Sequence, residues 1–210
     1  MNIVLISDTH GIHHDLKLKQ GEILIHTGDI TEYGTDDEVI DFLRWFAKQP
    51  FEYKIFIAGN HDIFLEDCSA TKLKKIIPDG IIYLQNSAVE IKGLNIYGSP
   101  VTPYFLGMAF NKRRGNDIRK VWDKIPEKTD ILITHGPPFE LLDNQNGCEE
   151  LINRIESVRP KLHVYGHIHE HHGTVEQNGT CFVNAALVNS LDPMEDKPYR
   201  IIHQPITLTI

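Results

Sequence analysis

The run Asn2-Ile3-Val4-Leu5-Ile6-Ser7-Asp8-Thr9-His10 decides how this chain is read. Its apolar, β-branched first half reads as a buried strand, and it ends on Asp8 and His10, two groups able to bind a transition metal. The same pattern recurs. Glu22-Ile23-Leu24-Ile25-His26-Thr27 runs into Gly28-Asp29, and Tyr53-Lys54-Ile55-Phe56-Ile57-Ala58 into Gly59-Asn60-His61-Asp62. Asp130-Ile131-Leu132-Ile133-Thr134 ends on His135, and Leu162-His163-Val164-Tyr165 on Gly166-His167-Ile168-His169. In open α/β sheets, ligand sites form just outside the carboxyl ends of strands. One such tip means little, but converging tips that carry Asp, His and Asn together describe a dinuclear metal centre.

A metal pair needs hard anionic ligands, imidazoles suited to a borderline ion, and a group that bridges. Asp8 and His10 stand two residues apart, so their side chains curl to the same side, as do those of His167 and His169. Asp29 follows Gly28, which lets the backbone approach closely, and a lone aspartate between two clusters is the natural bridging carboxylate. Asn60 supplies a neutral oxygen; His135, His167 and His169 supply nitrogens. Mixed ligation of this kind admits Mn, Fe, Co, Ni or Zn.

The totals narrow the class. With 210 residues, the chain is long enough for one substantial core, and no linker, repeat or low-complexity tract divides it; residues 1–210 are expected to form a single domain. The amino terminus is apolar only from Ile3 to Ile6, too short for a signal-peptide core, and no stretch reaches a transmembrane length. Cys68, Cys148 and Cys181 are odd in number and widely spaced, which argues against a disulfide framework and points to a reducing cytoplasm. The formal charge of −8 disfavours a nucleic-acid polymer as partner, since such capture needs Lys and Arg against phosphates. The 12 histidines gather near the strand tips.

Between the tips, Thr35 and Glu38 match a capping box ahead of Val39, Phe42, Leu43 and Phe46 on one helical face. Further helices are expected over Ser69–Ile77, Asp117–Ile125 and Glu149–Val158. Ile81–Gln85, Val89–Lys92 and Leu94–Gly98 suit antiparallel pairing. Asn178-Gly179 signals a hairpin, and residues 201–210 supply a last strand. The reading is an α/β protein with mixed sheets. His26 and His163 fall inside strands as core residues, while His13, His14, His171 and His172 read as loop positions.

Asp8-x-His10, Gly28-Asp29, Gly59-Asn60-His61-Asp62, His135 and Gly166-His167-x-His169, in that order, resemble the calcineurin-like metallophosphoesterases. The resemblance implies a double β-sandwich with mixed sheets flanked by helices. It assigns Asp8, His10, Asp29 and His169 to one divalent metal and Asp29, Asn60, His135 and His167 to the other. It makes His61 a catalytic residue facing the leaving group, beside Asn60, rather than a ligand. Ile96-Tyr97-Gly98-Ser99-Pro100, Ala109-Phe110-Asn111, Thr134-His135-Gly136-Pro137-Pro138 and Phe182-Val183-Asn184-Ala185 are similar to the small metallophosphoesterase-domain branch, some of whose members cleave cyclic nucleotides. One departure stands out. The Asp-Arg-Gly tail of protein Ser/Thr phosphatases is replaced by Ile30-Thr31-Glu32, which weakens a phosphoprotein phosphatase and leaves the group orienting His61 unidentified.

On this reading two divalent ions and two aspartates leave a local positive charge that attracts a phosphate anion despite the acidic surface. A metal-bridging hydroxide is the nucleophile of an in-line displacement, and His61 donates a proton to the departing alkoxide. The expected activity is a phosphodiesterase on small substrates such as cyclic nucleotides. A phosphomonoesterase with the same centre and a non-catalytic platform on the same fold are the alternatives. Tyr104, Phe105, Phe110, Asn111, Arg113 and Arg114 lie in the irregular stretch 100–116, a candidate for contacting substrate. Oligomeric state is left open.

Overall fold

In the computed structural model, which describes residues 1–190 and 199–210, β1 (Asn2–Ile6), β2 (Ile23–His26), β3 (Tyr53–Phe56) and β4 (Ile81–Tyr83) lie parallel in one sheet. The last strand, β15 (Ile206–Thr209), closes its edge antiparallel to β1. A second sheet holds β5 (Ser87–Ile91), β6 (Leu94–Ser99), β9 (Ile131–Thr134), β10 (Leu162–Tyr165), β11 (Gly173–Gln177) and β12 (Thr180–Asn184), in the order β11-β12-β10-β9-β6-β5. Two short ladders complete the set: β7 (Thr102–Pro103) with β8 (Asn111–Lys112), and β13 (Val188–Ser190) with β14 (Tyr199–Ile201).

Side chains alternate across each strand, and in the central strands both faces are covered. Ile3 and Leu5 of β1 join Ile23, Ile25 and Ile55 against Ile96, Ile131, Ile133, Leu162 and Val164 of the second sheet, forming the core between sheets. Val4, Ile6, Leu24 and Phe56 point the other way, onto Val39, Phe42, Leu43 and Phe46 of α1 (Asp36–Ala47). On the far side Tyr97, Leu132, Tyr165 and Phe182 meet α4 (Asn116–Trp122) and α5 (Glu149–Val158). The order of layers is helix, sheet, sheet, helix. The central runs are apolar throughout because both of their faces are buried.

The capping box forms as the sequence implies: Glu38 N–H donates to Thr35 Oγ1 (3.3 Å), and Thr35 N–H to the Glu38 carboxylate (3.0 Å). α3 (Ala70–Ile76) begins at a Ser69 cap, and Asn178-Gly179 turns between β11 and β12. One expectation needs correction. Ile81–Gln85 does not pair antiparallel with its neighbours. β4 instead adds to β3 in parallel, because the tight turn at Lys92-Gly93 closes only β5 and β6 into a hairpin. A short α2 (Ile63–Asp67) directly after the third tip has no periodicity long enough to announce it.

Parallel pairing brings the carboxyl ends of β1, β2 and β3 to one edge of their sheet, and those of β9 and β10 to the matching edge of the other. The sheets are tied there by a bridge between Ser7 and Ala186.

Candidate metal centre

The tips leave their strands through unusual backbone. Asp8 (φ 54°), His10 (φ 39°), Asp29 (φ 53°) and His167 (φ 69°) all adopt the left-handed region, which non-glycine residues rarely enter except under local constraint. The constraint is visible in hydrogen bonds between tips. Asp8 N–H donates to Gly28 O (3.0 Å), His10 N–H to Asp29 O (3.1 Å), and Gly166 N–H to His135 O (2.9 Å). Glycine is required where tips touch: a Cβ on Gly166 would collide with the Asp8 carboxylate and Ser7, and one on Gly59 with Asp29.

All seven candidate ligands are brought together. Asp8, His10 and His169 offer ligand atoms that converge in one group, and Asp29, His135 and His167 in another. Asp29 lies between them, its Oδ2 at 3.2 Å from His135 Nε2 and 3.8 Å from His10 Nε2. Asn60 Oδ1 stands 3.0 Å from His135 Nε2. Each carboxylate is also held from behind: His61 N–H donates to Asp29 Oδ1 (2.8 Å), and His167 N–H to Asp8 (3.0 Å).

The donor set fits divalent ions. Asp8 and Asp29 are buried, which opposes ionisation, yet neighbouring imidazoles hold both carboxyls well below the usual range: His169 for Asp8, and His135, His61 and His10 for Asp29. The same burial opposes charge on His135, but Asp29 and Asp8 pull it up to about 9. Burial, then the charge of His135, pushes His167 down to about 4. His135 Nδ1–H donates to Thr27 O (2.9 Å), which turns Nε2 towards Asp29 and Asn60, the arrangement that metal-binding histidines adopt. His10 Nε2 and His169 Nε2 face each other at 3.3 Å. A cation between them, beside the two buried carboxylates, would take the place of the proton that the pair otherwise shares.

Residues 1–171 match the family model for calcineurin-like phosphoesterases. The chain belongs to that family. Human metallophosphoesterase domain-containing protein 1 is 42% identical over 212 residues, covering 88% of this chain and 65% of the human protein, so the chain spans less than two thirds of that relative. A UPF0046 protein of Caenorhabditis elegans is 37% identical over 235 residues, covering 100% of this chain and 81% of the worm protein. Among solved structures, the phosphopantetheinyl hydrolase of Mycobacterium tuberculosis has a TM-score of 0.59 at 14% identity over 88% of each chain. TT1561 of Thermus thermophilus scores 0.59 at 12% identity over 87% of this chain and 88% of its own. These two show a shared fold. Members of the family typically bind divalent metals and hydrolyse phosphoesters. Among the described residues no helix is long and apolar enough to cross a membrane.

Three residues of this candidate site went unassigned in the sequence. Glu32 lies three residues beyond Asp29. Its backbone carbonyl accepts from His61 Nδ1–H (2.9 Å), and its carboxylate lies 3.1 Å from His10 Nδ1 and 3.8 Å from His61 Nδ1. The group orienting His61 is therefore Glu32, and its offset of three from Asp29 was the available signal. Asp62 ends the quoted Gly-Asn-His-Asp run. It accepts from the backbone of Ile30, Thr31 and Gly59 and from the Thr31 hydroxyl, joining the second tip to the third. Tyr199, on β14, stacks on His10 with ring centroids 4.0 Å apart; nothing local marked it.

A cavity of about 480 Å³ opens beside His167 and His169 and is lined also by Tyr104, Phe105, Arg114 and Gly136. Within residues 100–116, substrate-facing potential is divided otherwise than the sequence suggested. Phe110 is buried in the core beside α1 and cannot reach a ligand. Asn111 is spent on Thr102 Oγ1 and Phe105 N–H, and Arg113 does not line the cavity. Arg114 does, with its guanidinium donating to Gly147 O (2.7 Å) and Asn146 O (2.9 Å). His13 also departs from expectation: it is buried, whereas His14 is exposed. His26 and His163 are core residues as read, each bonded to a threonine hydroxyl.

Proposed function

We propose that this phosphoesterase is a phosphodiesterase of small substrates that uses two divalent transition-metal ions, with cyclic nucleotides among the natural candidates. The observation that carries the dinuclear reading is Asp29 Oδ2, within 4 Å of an imidazole from each ligand group. Asp8, His10, Asp29 and His169 would hold one ion, and Asp29, Asn60, His135 and His167 the other. When bound, the pair supplies Lewis acidity at phosphorus and lowers the pKa of water; manganese, iron, cobalt, nickel and zinc all suit the donors.

His61 is the general acid. Its Nδ1–H is committed to the Glu32 carbonyl, so the acid is the imidazolium form, whose Nε2–H goes to the departing alkoxide. The ring stands edge-on to His10, 4.7 Å between centroids, at the border between ligands and solvent. Asn60, adjacent in sequence, contributes its side-chain oxygen.

Diester preference follows from the room beside the centre. A diester has a second ester arm, and the cavity under Tyr104 and Phe105 can take it, with the exposed aromatic faces suited to a base. The unpaired Cys68, Cys148 and Cys181 agree with a cytoplasmic setting, and the core shared by both sheets agrees with one domain over 1–210. The test is a metal-reconstituted preparation offered bis(nitrophenyl) phosphate and the corresponding monoester. The diester should turn over faster. Preference for the monoester would replace this reading with a phosphomonoesterase, and no hydrolysis of either would favour a binding platform.

A further inference from the structure

His13, His14 and Asp41 bring a second kind of ligand cluster together, away from the strand tips. The 3₁₀ turn His13–Asp15 that follows the first tip presents both imidazoles to α1, which supplies the carboxylate. One oxygen, Asp41 Oδ2, lies 3.2 Å from His13 Nε2 and 2.9 Å from His14 Nε2. Donors bound at ~2.0–2.1 Å around a tetrahedral zinc are separated by about 3.3 Å, so both spacings are near those of ligands sharing one ion.

His13 supplies an independent observation. Its side chain is only 1% exposed, wedged against Phe42 and Trp45. Neither of its ring nitrogens has a hydrogen-bond partner, although Nε2 is aimed at Asp41. His13 Nε2 meets the Asp41 carboxylate at ion-pair distance without hydrogen-bond alignment, a costly arrangement for a buried imidazole and one that a shared cation would resolve. The exposed side of the cluster, at His14 and Asp41, leaves an open position for water and a route for the ion.

We propose that His13, His14 and Asp41 form a third transition-metal site, of the zinc class, separate from the centre at the tips. Two imidazoles and one carboxylate match the donors of zinc, cobalt and nickel better than those of calcium or magnesium. An ion there ties the turn after His10 to α1.

The test needs a readout local to this cluster, because zinc also suits the tips. In the 210-residue chain, carbethoxylation of His14 by diethyl pyrocarbonate is followed by peptide mass mapping with and without zinc chloride. Zinc should slow modification of His14 at least tenfold in the wild type and leave it unchanged in Asp41→Asn. Zinc content after dialysis should fall by one ion per chain in Asp41→Asn and in His14→Gln, with phosphoester hydrolysis retained. Equal reactivity of wild-type His14 with and without zinc would overturn the site, as would unchanged zinc content in both variants. Protection that persists in Asp41→Asn would overturn the carboxylate's part in it.

Discussion

The centre and the rim of the cleft are built on opposite terms. At the centre Asp8, Asp29 and His135 are at most 2% exposed, and each is held by a second group behind the one it presents. At the rim Tyr104 and Phe105 are 63% and 57% exposed, on a loop closed by the two-residue ladder of β7 and β8. Left-handed backbone at four candidate ligands persists only because the surrounding tips over-determine it. The rim carries no comparable network at its aromatic tip. On the proposed function, chemistry falls to the rigid part and substrate choice to the part that can vary without disturbing it.

The sharpest way to break this comparison is at the shared carboxylate. Asp29→Ala should lose much of the bound metal and lower activity by more than about 10³-fold, beyond the middle of what one general acid contributes. Two tightly held ions in that variant, measured by elemental analysis, would remove Asp29 from its bridging place. His61→Ala should keep its metals and lose ~10²–10⁴-fold on alkoxide leaving groups. The loss should be smaller on nitrophenyl esters, which need little protonation, and an equal loss on both would count against an acid.

Paired phenylalanines test the rim. Phe105→Ala should raise KM for a nucleotide substrate by about 5- to 150-fold, the equivalent of ~1–3 kcal/mol of stacking, with metal content and stability unchanged. Phe110→Ala, five residues on, should instead destabilise the fold by roughly 3–5 kcal/mol, as buried aromatic truncations do. If the two variants behave alike, the division between rim and core is wrong.

A pH-dependent effect separates the buried support from both. Burial pushes His163 down to about 3, with its Nε2–H given to Thr134 Oγ1 (2.8 Å). The unfolded chain takes up this proton as pH falls below about 6.5, while the folded chain does not. Its contribution is complete above that pH and is lost towards pH 3, by up to ~1.4 kcal/mol per unit. His163→Gln should flatten the acid limb of denaturant midpoint against pH; identical limbs would show that His163 is not the group responsible.

Much of the centre was legible because its residues obey local rules. Short apolar runs must be buried strands, and metal-binding groups immediately after them must sit at strand ends, whatever the order of strands in the sheet. The helix at Asp36–Ala47 was equally legible, since the Thr35–Glu38 box and the apolar face of α1 lie within a few turns of chain. The sequence by itself therefore determined the layers and the edge on which the candidate ligands gather. Tertiary structure alone decided what depends on distant neighbours. β4 joined the first sheet because β3 offered it a parallel edge, Phe110 went inward because α1 and the first sheet left it a place, and Tyr199 came to His10 from the other end of the chain. Glu32 found His61 and His10 only once the second and third tips were side by side, a contact between loops that no periodicity encodes.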